Sequence, residues 1–194
     1  MIHSLPVAIE RLQQLRSRRK WWRRWVRRAA VALVLRDSAV GVEVLMIERA
    51  HRNGDPWSGQ MAFPGGMIDP GDRNSFAAAL RETQEEIGLD LAACARLVAK
   101  LSDVASSGHR PYKPLAIVPY VFALKNLPPL RLNHEVAAVV WVPLSFLLDQ
   151  ANREQMQWRQ LRLPCYFWQG RRIWGLSLMM LDEMLQHLAI EPAR

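Results

Sequence analysis

Arg81-Glu82-Thr83-Gln84-Glu85-Glu86 sets three carboxylates and a guanidinium within little more than one turn of a helix. Glu82 stands three residues before Glu85 and four before Glu86, so a helix puts all three on one face. Each like-charge pair there destabilises by roughly 0.2–0.5 kcal/mol. Arg81, one turn before Glu85, offsets part of this. The charge that remains is best held by a cation, and hard oxygen donors prefer Mg²⁺ or Mn²⁺, ions that leave positions open for water and phosphate oxygens. The candidate chemistry is metal-assisted hydrolysis: a bound ion lowers the pKa of its water and neutralises charge gathering on a phosphoryl group. A glutamate-rich helix end is more commonly a solvated face, so the surrounding residues have to decide.

Those surroundings are consistent with a built site. Asn74 or Ser75 can cap a helix over Phe76 to Ile87, with Ala77, Leu80 and Ile87 for burial and Gly88 as its C-terminal stop. The carboxylates then fall in its last two turns. Upstream, Phe63-Pro64-Gly65-Gly66 turns the chain sharply, and paired glycines allow a backbone to approach an ion or phosphate closely. His51 to Gln60, rich in Gly, Asp, Pro, Ser and Asn, reads as a functional loop. Aliphatic and β-branched runs at Ala29 to Leu35, Val42 to Ile47, Leu97 to Leu101, Leu115 to Leu124 and Val136 to Val142 predict strands of one mixed sheet. Leu161 to Trp168 resembles a further strand despite Pro164. Leu144 to Leu148 starts a short helix, and Leu176 to Leu188 has the spacing of an amphipathic closing helix.

The Gly-Gly turn followed by Arg-Glu-x-x-Glu-Glu-x-Gly resembles the Nudix box, G-x5-E-x7-R-E-U-x-E-E-x-G-U with U aliphatic. From Arg81 to Leu89 the fixed charged and glycine positions match, with Thr83 at the first aliphatic site. Counting from Gly66, the expected Glu is Asp72, and eight residues instead of seven separate it from Arg81. Both departures resemble the coenzyme A pyrophosphatase branch, in which Gly-Gly-x-x-Asp-x-x-Asp takes this place; Asp69 and Asp72 fit that pattern. The branch's upstream signature, L-L-T-x-R-[SA]-x3-R-x3-G-x3-F-P-G-G, is matched by Leu45, Arg49, Ala50, Gly59, Phe63, Pro64, Gly65 and Gly66. It is broken at Ile47 for Thr and Gly54 for the second Arg, with one extra residue before Gly59. Ile173-Trp174-Gly175-Leu176 also looks like the C-terminal end of that branch.

The resemblance implies an α/β Nudix fold, a three-layer α/β/α sandwich around a mixed sheet, with residues 29–194 as the hydrolase domain. It implies hydrolysis of a pyrophosphate bond in a nucleoside diphosphate derivative with Mg²⁺ or Mn²⁺. Coenzyme A or acyl-CoA leads, and ADP-ribose, NADH or dinucleotides are the alternative. Glu85 and Glu86 are expected as metal ligands, Glu82 as ligand or general base, and the Gly65 carbonyl and Glu135 as further metal contacts. Arg81 is expected to orient the carboxylates. Arg49, Trp57, Gly59, Phe63 and Gly66 are the substrate-binding candidates. Asp69 and Asp72 are equally readable as turn formers, and Glu135 as a strand-edge charge. His109, His134, Tyr112 and Lys113 sit in polar loops; the histidines read as solvated, while Tyr112 and Lys113 could reach phosphate or base.

With 194 residues, half of them apolar, the chain can bury one sizeable core. Cys94 and Cys165 have no ligand spacing, and a reducing cytoplasm is the expected setting. No apolar run reaches the roughly 18 residues needed to span a bilayer, and no secretory signal is expected at the start. The net charge of +8 is local: residues 11–28 carry nine Arg and Lys and no acid, leaving seventeen basic against eighteen acidic residues elsewhere. Ile9, Leu12, Leu15, Trp22 and Val26 recur at near-helical spacing there, so residues 1–28 read as a basic amphipathic extension. It could dock on the domain, bind an anionic membrane surface or polyanion, or serve as a transit sequence. A nucleotide- or RNA-binding Nudix module is the reading from another functional class, and a homodimer is a further expected partner state.

Overall fold

The computed structural model describes residues 4–54, 57–106 and 114–189, so His109, Tyr112 and Lys113 lie outside the described residues. Strand β1 (Arg27–Ser38) is the centre of an eight-stranded sheet. It runs antiparallel to β2 (Gly41–Arg49) and parallel to β7 (Leu115–Leu124). The sheet is therefore mixed. Beyond β7 lie β5 (Ala95–Lys100) and β6 (Val104–Ser106), and beyond β2 lies β8 (Val136–Pro143).

Period-two alternation along β1 explains the layering. Ala29, Leu33 and Leu35 enter one apolar cluster with helices α1 (Leu5–Gln13), α4 (Leu144–Leu148) and α5 (Gly175–Ala189). Ala30, Ala32 and Val34 enter a second cluster with α2 (Ser75–Ile87) and α3 (Leu91–Cys94). Strands covered on both faces need apolar residues throughout, which is why β1 and β7 are continuous hydrophobic runs. This is the expected α/β/α sandwich.

The site-bearing turn fills a wedge. β1 and β2 pair only from Val34 and Leu45 outward, and where they part, two short strands enter. β3 (Met61–Ala62) joins β2, and β4 (Gly65–Met67) joins β1. The Pro64 carbonyl accepts from the Ala32 N–H at 2.9 Å, so the glycine turn is stitched into the sheet's centre.

The structure adds a second sheet and corrects one expectation. A second sheet, β9 (Arg153–Trp158), β10 (Leu161–Trp168) and β11 (Arg171–Trp174), stands apart from the mixed one in the order β11-β10-β9. Pro164 is tolerated because β11 pairs with β10 only from Cys165 onward, leaving the strand one neighbour at the proline. The basic extension is not one helix either: α1 stops at Gln13, before most of the cations, and after a non-helical stretch Trp21–Trp25 forms a short 3₁₀ helix. Consecutive arginines outnumber the apolar positions there, so no buried stripe could support a helix.

This segment is nonetheless pinned to the body. Arg23 donates to both oxygens of Asp103 at 2.8 and 3.0 Å, the Lys20 N–H reaches Asp103 at 2.9 Å, and the Arg18 N–H reaches Ser102 Oγ at 2.8 Å. The Asp103 side chain is fully buried. Asp103→Ala would leave Arg23 buried and unpaired, and a loss of about 3–5 kcal/mol is expected from denaturant unfolding. An unchanged midpoint would show that the clamp does not hold the segment.

Candidate active site

Asn74 caps α2, its Oδ1 accepting from the Phe76 and Ala77 N–H groups at 2.9 and 3.0 Å. Gly88 ends it at φ 69°. The last carbonyls are then claimed by a neighbouring loop, with the Arg131 N–H bonding Ile87 and the Asn133 N–H bonding Glu86, both at 2.9 Å. The carboxylate end of the helix is thereby fixed in position. Thr83, standing where an aliphatic residue was expected, is fully buried, and its hydroxyl is satisfied by the Ala79 carbonyl at 2.7 Å.

Arg81 is the hub. Its guanidinium grips Asp72 through two donors at 3.1 and 3.0 Å and takes the Met67 carbonyl at 3.1 Å. Its other terminal nitrogen reaches Glu82 and Glu85, each at 3.0 Å. Asp72 thus anchors the arginine that spaces two of the glutamates. The guanidinium bonds hold the Asp72 carboxyl below its ordinary range, and the same bonds raise Arg81. Asp69 also forms the turn, its N–H bonding Asp72 at 2.9 Å, with its carboxylate 3.6 Å from Arg81.

Glu86 is placed differently. The residue is 3% exposed, and its carboxylate accepts the Gly65 N–H at 2.8 Å. Burial pushes its pKa up to about 7; the Gly65 bond works against this, while the charges of Glu82 and Glu135 add to it and Arg49 opposes. Burial likewise raises Glu82, with Arg81 opposing.

The paired glycines have separate reasons. A Cβ on Gly65, at φ +146°, would lie 2.2 Å from the Ala30 carbonyl oxygen, inside the sheet. A Cβ on Gly66 would lie 2.5 Å from the Glu82 carboxylate. Gly65 allows the turn to enter the sheet, and Gly66 leaves room for the acid.

The remaining candidates divide. Arg49 ends β2, close enough for its charge to act on Glu86. Gly59, at φ +68°, bonds the Arg49 carbonyl through its N–H at 3.0 Å. Trp57 is half exposed in the same loop, and His134 is exposed. Glu135 pairs with Arg52 at 3.1 Å, a partner that no motif singles out. Phe63 requires a correction: at 3% exposure it packs into the core, so its ring supports the turn and is closed to substrate.

Residues 26–162 match the NUDIX domain family. The chain belongs to the Nudix family. A Nudix hydrolase called NudL from Photorhabdus laumondii subsp. laumondii, uncharacterised, is 30% identical over 69% of this chain and 71% of its own length. An uncharacterised protein of Schizosaccharomyces pombe is 41% identical, but the match spans only 54% of this chain and 33% of that protein. Among solved structures, an Ap4A hydrolase of C. elegans in a binary complex superposes at TM-score 0.51 with 24% identity, over 63% of this chain and 84% of that one. A MutT/nudix family protein of Enterococcus faecalis gives 0.54 at 16% identity, over 84% and 68%. These similarities show a Nudix fold.

The donor set of this Nudix site suits a hard divalent ion. Among the described residues no trio of His, Cys, Asp and Glu converges as a ready-made ligand cluster. Glu82 and Glu85 turn to Arg81, and Glu86 turns to the Gly65 N–H. Self-repelling carboxylates take whatever donors are offered, and the one backbone N–H that Glu86 finds among the described residues is a poor match for a buried glutamate that feels two neighbouring acids. A divalent cation at Glu86 would reverse that imbalance, and the oxygen chemistry fits Mg²⁺ or Mn²⁺.

Proposed function

We propose that the protein hydrolyses the pyrophosphate linkage of a nucleoside diphosphate derivative in a Mg²⁺- or Mn²⁺-dependent reaction. Glu86 carries this reading: a buried carboxylate whose donor among the described residues is one backbone N–H, beside two further acids, is poised for a cation. When bound, the ion supplies an activated water and neutralises phosphoryl charge. Glu86, Glu85 and the Gly65 carbonyl would hold it, with Glu135 as a further ligand. Glu82 serves as ligand or accepts the proton of the attacking water. Arg81, occupied by Asp72 and two glutamates, positions those acids and does not touch substrate.

Coenzyme A or an acyl derivative is the leading substrate. Support comes from Asp69 and Asp72 in the box and from Arg49, Gly59, Gly65 and Gly66 upstream of it. Gly54, at the place of the second upstream arginine, favours the alternative of ADP-ribose, NADH or a dinucleotide. An intact carboxylate set argues against a pure binding module. Incubating the protein with coenzyme A, ADP-ribose and NADH in ¹⁸O-labelled water, with and without Mg²⁺, tests both levels. Labelled monophosphate products formed only with the ion are expected. Absence of turnover with every substrate would contradict the reading.

We also infer that the basic segment rests on an anionic bilayer, giving a cytoplasmic enzyme peripheral attachment. Trp21 and Trp25 are 77% and 59% exposed, and Arg16, Arg18, Arg19, Lys20, Arg24 and Arg27 are exposed around them. Indoles beside cations suit the headgroup region, where each cation contributes about 1 kcal/mol. The two indoles pack edge to face at 5.5 Å, and Arg24 lies 4.0 Å over the Trp25 ring, so that ring is partly taken and less open to stacking on an RNA base. No helix among the described residues is long and apolar enough to cross a membrane. Co-sedimentation with vesicles containing phosphatidylglycerol is expected, reduced about tenfold or more by Trp21→Ala with Trp25→Ala. Binding to RNA but not to vesicles would replace the bilayer with a polyanion.

A further inference from the structure

A cleft of about 380 Å³ lies between the loop Ser58–Gln60 and the three-stranded sheet. Its sheet wall carries Trp158, Phe167, Arg172 and Trp174. Cross-strand partners share a sheet face, and the register pairs Phe167 with Arg172, Cys165 with Trp174 and Leu161 with Trp158. These aromatics and Arg172 therefore sit on one face, opposite the one that buries Tyr166 and Ile173.

The cleft is aromatic and cationic together. Trp158 and Trp174 meet with ring centroids 4.6 Å apart at 46°, while Trp158 and Phe167 remain 37% and 42% exposed. Of its two arginines, Arg171 is neutralised by Glu48 at 2.8 Å, and Arg172 is exposed with no ion pair among the described residues. Open indole and phenyl surface beside a free guanidinium suits a planar heterocycle that also bears an anion.

The end of β2 links the cleft to the neighbourhood of the glutamates, its successive side chains turning to opposite faces. Glu48 binds Arg171 on the cleft side, whereas the charge of Arg49, the next residue, acts on Glu86. The loop that forms the other wall is bonded to Arg49 at both its N–H and its carbonyl, each at 3.0 Å. A substrate with its pyrophosphate at the glutamates would have to reach the cleft across this loop.

We propose that the cleft is the nucleoside subsite, where Trp158 and Trp174 stack the base and Arg172 binds a phosphate carried on its ribose. This rests on the pyrophosphatase reading and makes it more specific. Coenzyme A has such a ribose phosphate and ADP-ribose does not, so Arg172 would discriminate between them.

Adenosine 3′,5′-bisphosphate and AMP, titrated into the full chain by calorimetry, report the subsite without turnover. Trp158→Ala and Trp174→Ala are expected to weaken both ligands about tenfold, and Arg172→Gln to weaken the bisphosphate about tenfold with little effect on AMP. In turnover, Arg172→Gln should raise KM for coenzyme A with kcat within about twofold, and leave ADP-ribose unchanged. Arg172 is exposed, so its replacement tests recognition apart from folding. Wild-type affinity for both ligands in all three variants, or no binding by the wild type, would overturn the subsite even if hydrolysis is observed. Variant-sensitive binding by a protein that hydrolyses nothing would retain the subsite and reject the hydrolase.

Discussion

Glu86→Gln is expected to abolish turnover, by at least about a thousandfold, while making the metal-free protein more stable at pH 8. The carboxyl's pKa is pushed up to about 7 in the folded chain, against an ordinary value of 4.5. The native state therefore keeps a proton that the unfolded state has released between those values. Its stabilising effect is complete below about pH 4.5 and is lost as pH rises through 7. At pH 8 the wild type thus bears a cost of about 2–4 kcal/mol that glutamine avoids, while its Oε1 can still accept the Gly65 N–H. Near pH 4 the two proteins should unfold together. Denaturant unfolding in EDTA at the two pH values checks this, and a destabilised variant at pH 8 would refute it. Saturating Mg²⁺ should raise the stability of the wild type and leave that of the variant nearly unchanged.

The adjacent glycines should fail in different ways. Gly65→Ala sets a methyl 2.2 Å from a backbone oxygen of β1 and 2.6 Å from Val31 Cα, in a left-handed conformation. Neither atom can move without opening the sheet, so a loss above about 4 kcal/mol and little soluble protein are expected. Gly66→Ala meets only the Glu82 carboxylate, the far end of a flexible side chain. That variant should fold with a loss of about 1–2 kcal/mol, yet lose about a hundredfold in kcat because Glu82 is driven from its place beside Arg81. Thermal unfolding and kcat measured on both separate the two effects. Equal stability losses would show that the glycines are interchangeable parts of one turn.

What could be read in advance was what depends on local chemistry. Helix α2 was legible because its signals are adjacent: a capping Asn74, an apolar face and a Gly88 stop. Strands β7 and β10 were legible as apolar runs between turn residues. The pattern of charge also points to Arg81 among the acids. Its Asp72 anchor depends on the turn that brings residue 72 back beside the helix, and either role was open from sequence. Strands β9 and β11 are hidden in the sequence because their alternating faces are mostly polar or exposed, so little hydrophobic periodicity survives. The burial of Phe63 is not legible in advance because a motif position says nothing about the direction of the ring. In the basic segment, near-helical spacing of a few aromatics does not outweigh consecutive arginines, and its docking depends on Asp103, eighty residues away from Arg23.

Calorimetric titration of Mn²⁺ into the full chain, compared with the same titration into Glu86→Gln, asks most directly whether the helix carboxylates gather a cation. Saturable uptake by the wild type, weakened at least about tenfold in the variant, is expected. No uptake, or equal affinity in the two proteins, would mean that the ion is not held at this helix and that the hydrolytic reading is wrong.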